Sequence, residues 1–220
     1  MTIELITQPS LLDLEPSRTN ALRFDVGARM ALDDCCWFEL QRRWLPDPHV
    51  LFDDLTKTLD WHQTERAMFD RWVTDPRLGA TVTRPTAALG SAQTALESQF
   101  ECSFGAIWCN LYRDGSDSVA WHGDRDGSRP IGEVAIISLG GSRTFRIRPG
   151  GGGPGQSIEL HSGDLLVMGG KMQAHFEHSI PKRAHAHARI SVTLRASSVG
   201  NADRRARRSS AASSLDERRT

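Results

Sequence analysis

The spacing of apolar residues changes character once along the chain. Before residue 103 it has a helical period in two stretches. From Asp47, Phe52, Leu55 and Leu59 fall on one face, with Asp47 placed to cap and Pro48 suited to the first turn, so a helix is predicted there. A second helix is predicted over 85–99, opening at Pro85, with Leu89, Ala92, Leu96 and Phe100 on one face. Between the two, Trp61 to Val82 holds Trp61, Arg66, Met68, Phe69 and Trp72 without a steady period. It ends in Pro76-Arg77-Leu78-Gly79 and reads as extended segments and loops. After residue 103 short apolar or alternating runs take over, at 105–112, 118–122, 133–139, 143–148, 157–160, 164–168, 175–180 and 189–195. The intervening RDGSD, DGSRP, RPGGGGPGQ and HSGD are turn chemistry. Helices followed by about eight short strands predict an α+β, mainly β fold: a double-stranded β-helix (jelly roll) with supporting N-terminal helices.

The ends read differently. Residues 1–20, with Pro9 and Pro16, are expected to form an irregular arm, and 197–220 a disordered basic tail almost devoid of apolar residues. That leaves a single domain over 21–196, its jelly-roll core at about 104–196. No apolar run approaches the roughly 18 residues of a membrane span, and the N-terminus lacks the pattern of a secretory signal. A cytoplasmic monomer is expected, with no membrane partner. Lys plus Arg is 27 and Asp plus Glu is 27. A polybasic nucleic-acid coat is thereby excluded, and any phosphate contact must be local. The four cysteines form no CxxC pair. They read as reduced, mostly buried thiols, and adjacent Cys35 and Cys36 are not expected to share one tetrahedral site. Metal chemistry is therefore expected from His and carboxylates.

Trp121-His122-Gly123-Asp124 is the sharpest local signal. In a strand, residues two apart share a face, so His122 and Asp124 would point together as two thirds of a divalent-metal site. A third ligand must come from His161, His175, His178, His185 or His187. The last strand alternates strictly, with Ile190, Val192 and Leu194 on one face and Arg189, Ser191, Thr193 and Arg195 on the other. That polar face is either an exposed edge or an interior wall. If interior, its guanidinium groups need anionic partners. A separation of roughly 20 Å between the two arginine Cα atoms suits the two ends of a dicarboxylate. Asn110 and Tyr112 share a face of another strand and could hydrogen-bond a carboxylate or keto group.

Together, Asn110-Leu111-Tyr112-Arg113-Asp114-Gly115, Trp121-His122-Gly123-Asp124, His178-Ser179-Ile180-Pro181 and Arg189 through Arg195 strongly resemble the AlkB-like iron(II)/2-oxoglutarate dioxygenases. The resemblance also includes Ser138-Leu139-Gly140 and Gly163-Asp164-Leu165-Leu166-Val167-Met168. It is dense over 104–195, extends over 44–103 and leaves out the arm and tail. It implies that His122, Asp124 and His178 are the two-histidine, one-carboxylate catalytic and metal-binding triad, which leaves positions open on iron(II) for dioxygen and a 2-oxo acid. It also implies that Asn110, Tyr112, Arg189, Ser191 and Arg195 hold 2-oxoglutarate. Asp126 sits where the family places an acidic residue near the substrate base, and Trp61, Met68 and Arg77 are further substrate-binding candidates. Two positions depart from the family: Gly79-Ala80-Thr81-Val82 replaces an aromatic-rich stretch, and Ser191 stands where asparagine is common.

The implied activity is oxidative demethylation of alkylated nucleobases such as 1-methyladenine and 3-methylcytosine. The substrate would be single-stranded or locally opened DNA or RNA, and the products formaldehyde, succinate and carbon dioxide. Two other readings compete: the same chemistry on a protein or small molecule, and a metal-binding jelly roll without turnover.

Overall fold

A computed structural model describes residues 22–68, 71–126 and 129–197; the side chains at 66–71 and 126–130 are outside that description. The expected arm, and the tail beyond Ser197, fall outside the described residues. The described residues contain three helices: α1 (Pro48–Thr58), α2 (Ala87–Phe100) and the single-turn α3 (Met172–His175). The strands begin with β1 (Arg29–Ala31), β2 (Cys36–Gln41), β3 (His62–Met68) and β4 (Arg71–Val82). Then follow β5 (Ile107–Tyr112), β6 (Val119–His122), β7 (Arg125–Asp126), β8 (Arg129–Pro130) and β9 (Val134–Gly140). The chain continues through β10 (Arg143–Pro149), β11 (Gln156–Leu160), β12 (Leu165–Gly170), β13 (Phe176–Ile180) and β14 (Arg189–Arg195).

Both expected helices form, with corrected starts. Asp47 precedes α1 in the left-handed region and makes no side-chain cap, so Pro48 begins the helix without that bond. α2 begins at Ala87 rather than Pro85 and is capped by Thr86, its Oγ1 accepting from the Leu89 N–H. The stretch Trp61 to Val82, read as extended pieces and loops, is a long antiparallel hairpin of β3 and β4. Its aperiodic sequence reflects an edge position, where packing constrains only part of each face.

Eight strands in the order β1-β2-β12-β9-β14-β5-β4-β3 make the major sheet, and β11-β10-β13-β6 the minor one. This is the expected jelly roll. The central strands of the major sheet are buried on both faces, and their alternation shows how. Cys109, Leu111, Ile137, Leu139, Leu165, Val167, Ile190, Val192 and Leu194 pack against Leu51, Phe52 and Leu55 of α1 and Leu89, Ala92 and Leu96 of α2. The opposite face carries Phe38, Tyr112, Val134, Ile136, Leu166 and Met168, which meet Phe145, Ile147, Ile158, Leu160 and Ile180 of the minor sheet. Fully burying one such side chain is worth ~1.5–3 kcal/mol, so the layers are held by many modest terms. Among the described residues no helix is long and apolar enough to cross a membrane.

Candidate active site

The site lies between the sheets, where the polar positions of β5 and β14 face the minor sheet. Antiparallel pairing of β13 with β6 puts His178 directly opposite His122, their ring centroids 4.3 Å apart. Asp124 follows two residues after β6. Gly123 makes that turn possible, because a Cβ there would come within 2.5 Å of the Gln173 carbonyl oxygen. The Gln173 side chain then accepts from the Asp124 N–H at 2.9 Å. One ligand atom from each of His122, Asp124 and His178 lies within 4.8 Å of the others, a set that could hold a metal ion. His178, not His175, completes it: His175 ends α3 and belongs to a different cluster.

Protonation suits this reading. The His122 Nδ1 lies 2.9 Å from the Ala120 carbonyl, and donation there leaves Nε2 with a lone pair for a metal. The His178 ring stacks on Phe145 at 5.2 Å. Burial, then the neighbouring His122, lower its pKa from 6.5 to about 3, so it is a neutral imidazole. For Asp124 burial opposes ionisation, but the charge and hydrogen bond of Arg195 outweigh it and hold the carboxyl below its ordinary range. Arg195 Nη2 donates to Asp124 Oδ1 at 2.9 Å.

A consequence for stability follows. Between pH 6.5 and about 3 the unfolded chain carries a proton on residue 178 that the folded chain lacks, so acid favours unfolding. Asp124 acts in the same direction, since its stabilisation is lost as pH falls through its depressed folded pKa. The metal-free protein is expected to show a falling urea midpoint from pH 7 to pH 4, with a shallower slope in His178→Leu.

At the other end of the cavity Arg189 is fully buried. Its Nε donates to Ser138 Oγ at 2.8 Å, but neither Nη finds a hydrogen-bond acceptor. Burial lowers its pKa to about 10, while the Tyr112 phenol favours the charged form, so it is a cation at neutral pH. Tyr112 is flanked by two guanidinium groups, those of Arg189 and Arg143, each 5.3 Å from its ring. A buried cation with two unsatisfied donors is costly. A carboxylate in the cavity would satisfy both in the fork geometry that arginine favours. The residues therefore fit a dicarboxylic co-substrate. Arg143 is not free for it, because it donates to the carbonyls of Asp114, Asp117 and Pro181.

His122, Asp124, His178, Asn110, Tyr112, Arg189, Ser191 and Arg195 all line this one cavity of about 80 Å³. A larger depression of about 920 Å³, lined by Arg113–Ser116 and Lys182–Ala188, is open to solvent and away from the triad. His185 and His187 lie there, and His161 pairs with Ser142. Arg77 reaches the cavity wall, but its Nε donates to Asn110 Oδ1 at 3.0 Å, and Asp75 is at 3.5 Å. Trp61 does not line the cavity; it packs on the core and donates to the Leu55 carbonyl. Of the arginines considered for phosphate, Arg113 is held by Asp117 through both Nε and Nη2, whereas Arg125 is exposed. The side chains of Arg66, Met68 and Asp126 lie outside the described residues.

Sequence reasoning gave no site role to Trp108, Ser138 or Gln173. Trp108 shares its β5 face with Asn110 and donates to Asn110 Oδ1 at 3.0 Å, a signal that parity alone carried. Ser138 and Gln173 reach the site through pairings no local pattern reveals.

Residues 31–195 match the 2OG-Fe(II) oxygenase superfamily. The "Alpha-ketoglutarate-dependent dioxygenase alkB homolog 3" of Mus musculus is 31% identical over 179 residues, which is 69% of this chain and 62% of that protein. The "DNA oxidative demethylase ALKBH2" of Arabidopsis thaliana is 35% identical over 117 residues, 42% of this chain and 37% of that one. The chain thus spans less than two thirds of the length of these curated relatives. The solved structure of OsALKBH1 shares the fold, with a TM-score of 0.55 at 16% identity, covering 76% of this chain and 99% of that one. The triad, the unpartnered arginine across the cavity and the match over 31–195 agree: the chain belongs to the 2OG-Fe(II) oxygenase superfamily and is similar to its alkB-homologue members.

Proposed function

We propose that this chain uses iron(II), 2-oxoglutarate and dioxygen to demethylate alkylated nucleobases in DNA or RNA, acting where the base is single-stranded or locally opened. One observation carries the reading: a His-Asp-His ligand set and a buried guanidinium with two unpartnered donors open onto the same cavity. The similarity to a DNA oxidative demethylase supports the substrate class.

In this reading His122, Asp124 and His178 hold iron(II), and Arg189 grips the far carboxylate of 2-oxoglutarate. Iron(II) bound there supplies the redox chemistry that couples decarboxylation of the 2-oxo acid to oxidation of a methyl C–H bond. Tyr112 and Asn110 orient the co-substrate by hydrogen bonds. Arg77 and Trp108 both donate to Asn110 Oδ1, which leaves the amide NH₂ as the group Asn110 can offer. Arg195, bonded to Asp124, keeps that carboxylate ionised and aimed. Phe145 and Ile136 give the cavity apolar walls that limit water. Asp126 would favour a cationic methylated base. Trp72, 73% exposed on β4, offers a stacking face for nucleic acid, and Trp61 and Met68 belong to the same hairpin region.

Gly79 supports this arrangement from behind. It pairs with Asn110 across β4 and β5, and a Cβ on it would meet the Trp108 ring at 2.4 Å. The departure from an aromatic-rich stretch thus has a local physical reason: Trp108 fills the space. Gly79→Ala is expected to displace Trp108, loosen Asn110 and raise the KM for 2-oxoglutarate severalfold with little change in metal content. An unchanged KM would remove Asn110 from co-substrate binding.

The function is tested by incubating the chain with iron(II), 2-oxoglutarate and oligonucleotides carrying 1-methyladenine or 3-methylcytosine, single-stranded and duplex. Formaldehyde and succinate in equal amounts, with single strands preferred, is the expected result. Slow succinate release without formaldehyde would move the substrate to a protein or small molecule. No succinate at all would leave a binding module.

A further inference from the structure

A second group of metal-ligating side chains lies outside the cavity. The turn from β1 to β2 brings Asp33, Cys35 and Cys36 against His175 at the end of α3, and one ligand atom from each lies within 4.8 Å of the others. The two sulfurs are 3.8 Å apart, and Cys35 Sγ and Cys36 Sγ are 3.7 and 3.6 Å from His175 Nδ1. Asp33 Oδ2 is 3.9 Å from the same nitrogen.

The separations have a simple meaning. Zinc lies about 2.3 Å from thiolate sulfur and about 2.05 Å from imidazole nitrogen, so a tetrahedral ion sets S···S near about 3.8 Å and S···N near about 3.5 Å. The cysteine and histidine atoms already stand at nearly those separations. Adjacent cysteines were not expected to share one tetrahedral site, and within a strand they would point to opposite faces. Here Cys35 is still in the turn and only Cys36 has entered β2. The turn is closed by the Leu32 N–H to the Cys36 carbonyl at 2.9 Å and by the Cys35 N–H to Asp33 Oδ1 at 2.8 Å. A further bond, from the Lys171 N–H to the Cys35 carbonyl at 2.9 Å, docks it on the start of α3.

We propose that Asp33, Cys35, Cys36 and His175 form a second metal site that takes one zinc(II) ion, distinct from the His122-Asp124-His178 set. Two thiolates make it soft, whereas the triad offers only nitrogen and oxygen. Cys36 is buried, Cys35 half-buried, and Asp33 and His175 exposed, so an ion can enter from solvent. The site clips together segments 139 positions apart in sequence. Its histidine stands two residues after Gln173, which bonds Asp124, and three before His178. Zinc would thereby steady the segment that presents the triad, a structural role independent of which substrate the enzyme takes.

Cobalt(II) titration of the metal-stripped full chain tests this, because only a sulfur-containing site gives thiolate-to-cobalt charge-transfer absorption. One equivalent of cobalt should produce that absorption, and zinc should abolish it. His178→Ala should keep it, which separates this site from the triad. Cys35→Ser and Asp33→Asn change half-buried and exposed positions, and each should lower zinc affinity. For Cys35→Ser the loss should be at least on the order of the 10–100-fold caused by losing an outer-shell partner. In the wild-type chain, zinc should also protect Cys35 from alkylation. Absent charge-transfer absorption, absorption unchanged in Cys35→Ser, or alkylation indifferent to zinc would each overturn the proposal.

Discussion

Replacing His178 by alanine is expected to abolish 2-oxoglutarate-dependent succinate release, with iron content falling in parallel. The imidazole is 4% exposed and is held neutral by burial, the form that can donate a lone pair. Its removal leaves His122 and Asp124 as the remaining members of the set, and the other ligand-type side chain of β13, Glu177, is paired with Arg148. The loss should exceed the ~10²–10³-fold typical of deleting one electrostatic stabilising group, because the metal itself goes. Removal also opens a void beside Phe145, which stacks on the ring. A thermal melt must accompany the assay, and His178→Gln, which fills more of the space, should be equally inactive with a smaller change in Tm. Substantial succinate release by either folded variant would remove His178 from the ligand set.

Arg189 should separate binding from stability in the opposite sense. Arg189→Ala is expected to weaken 2-oxoglutarate by on the order of 30- to 5,000-fold, since truncating one partner of a buried, hydrogen-bonded charge pair costs ~2–5 kcal/mol. Lysine should restore little, because a single ammonium cannot reproduce the two Nη donors. Without co-substrate, however, both Nη groups are buried and unpartnered. Arg189→Met then removes an unpaired buried charge and should leave the co-substrate-free protein as stable as the wild type, or more so. Calorimetric titration with 2-oxoglutarate and urea unfolding in its absence would measure the two effects. A variant that loses stability without co-substrate yet keeps its affinity would make Arg189 a structural residue.

What the chain specifies locally is legible without the fold. Short apolar or alternating runs at 105–112, 133–139 and 189–195 announced strands, and parity paired Asn110 with Tyr112 and Arg189 with Arg195, because side-chain direction in a strand depends only on the count of residues. Helical spacing placed α1 and α2 within one or two residues at most boundaries. His122 and Asp124 were visible for the same reason, two positions apart.

Tertiary structure decided the remainder. Whether the arginine face of β14 was an edge or a wall depended on β9 and β5 flanking it on both sides, which periodicity does not encode. His178 rather than His175 joined the triad through register, since β13 pairs with β6 and sets residue 178 opposite 122. Arg77, read as a substrate contact, was drawn to Asn110 by the pairing of β4 with β5. Trp61 went to the α1 terminus, where its indole N–H joins the Leu59 N–H on the Leu55 carbonyl and its ring had core to cover. Cys35 and Cys36 came together because a turn, not a strand, holds the first of them. In each case local pattern says which way a side chain points relative to its neighbours. What it then meets is decided by contacts between segments far apart in sequence, and those depend on the register and packing of the whole sandwich.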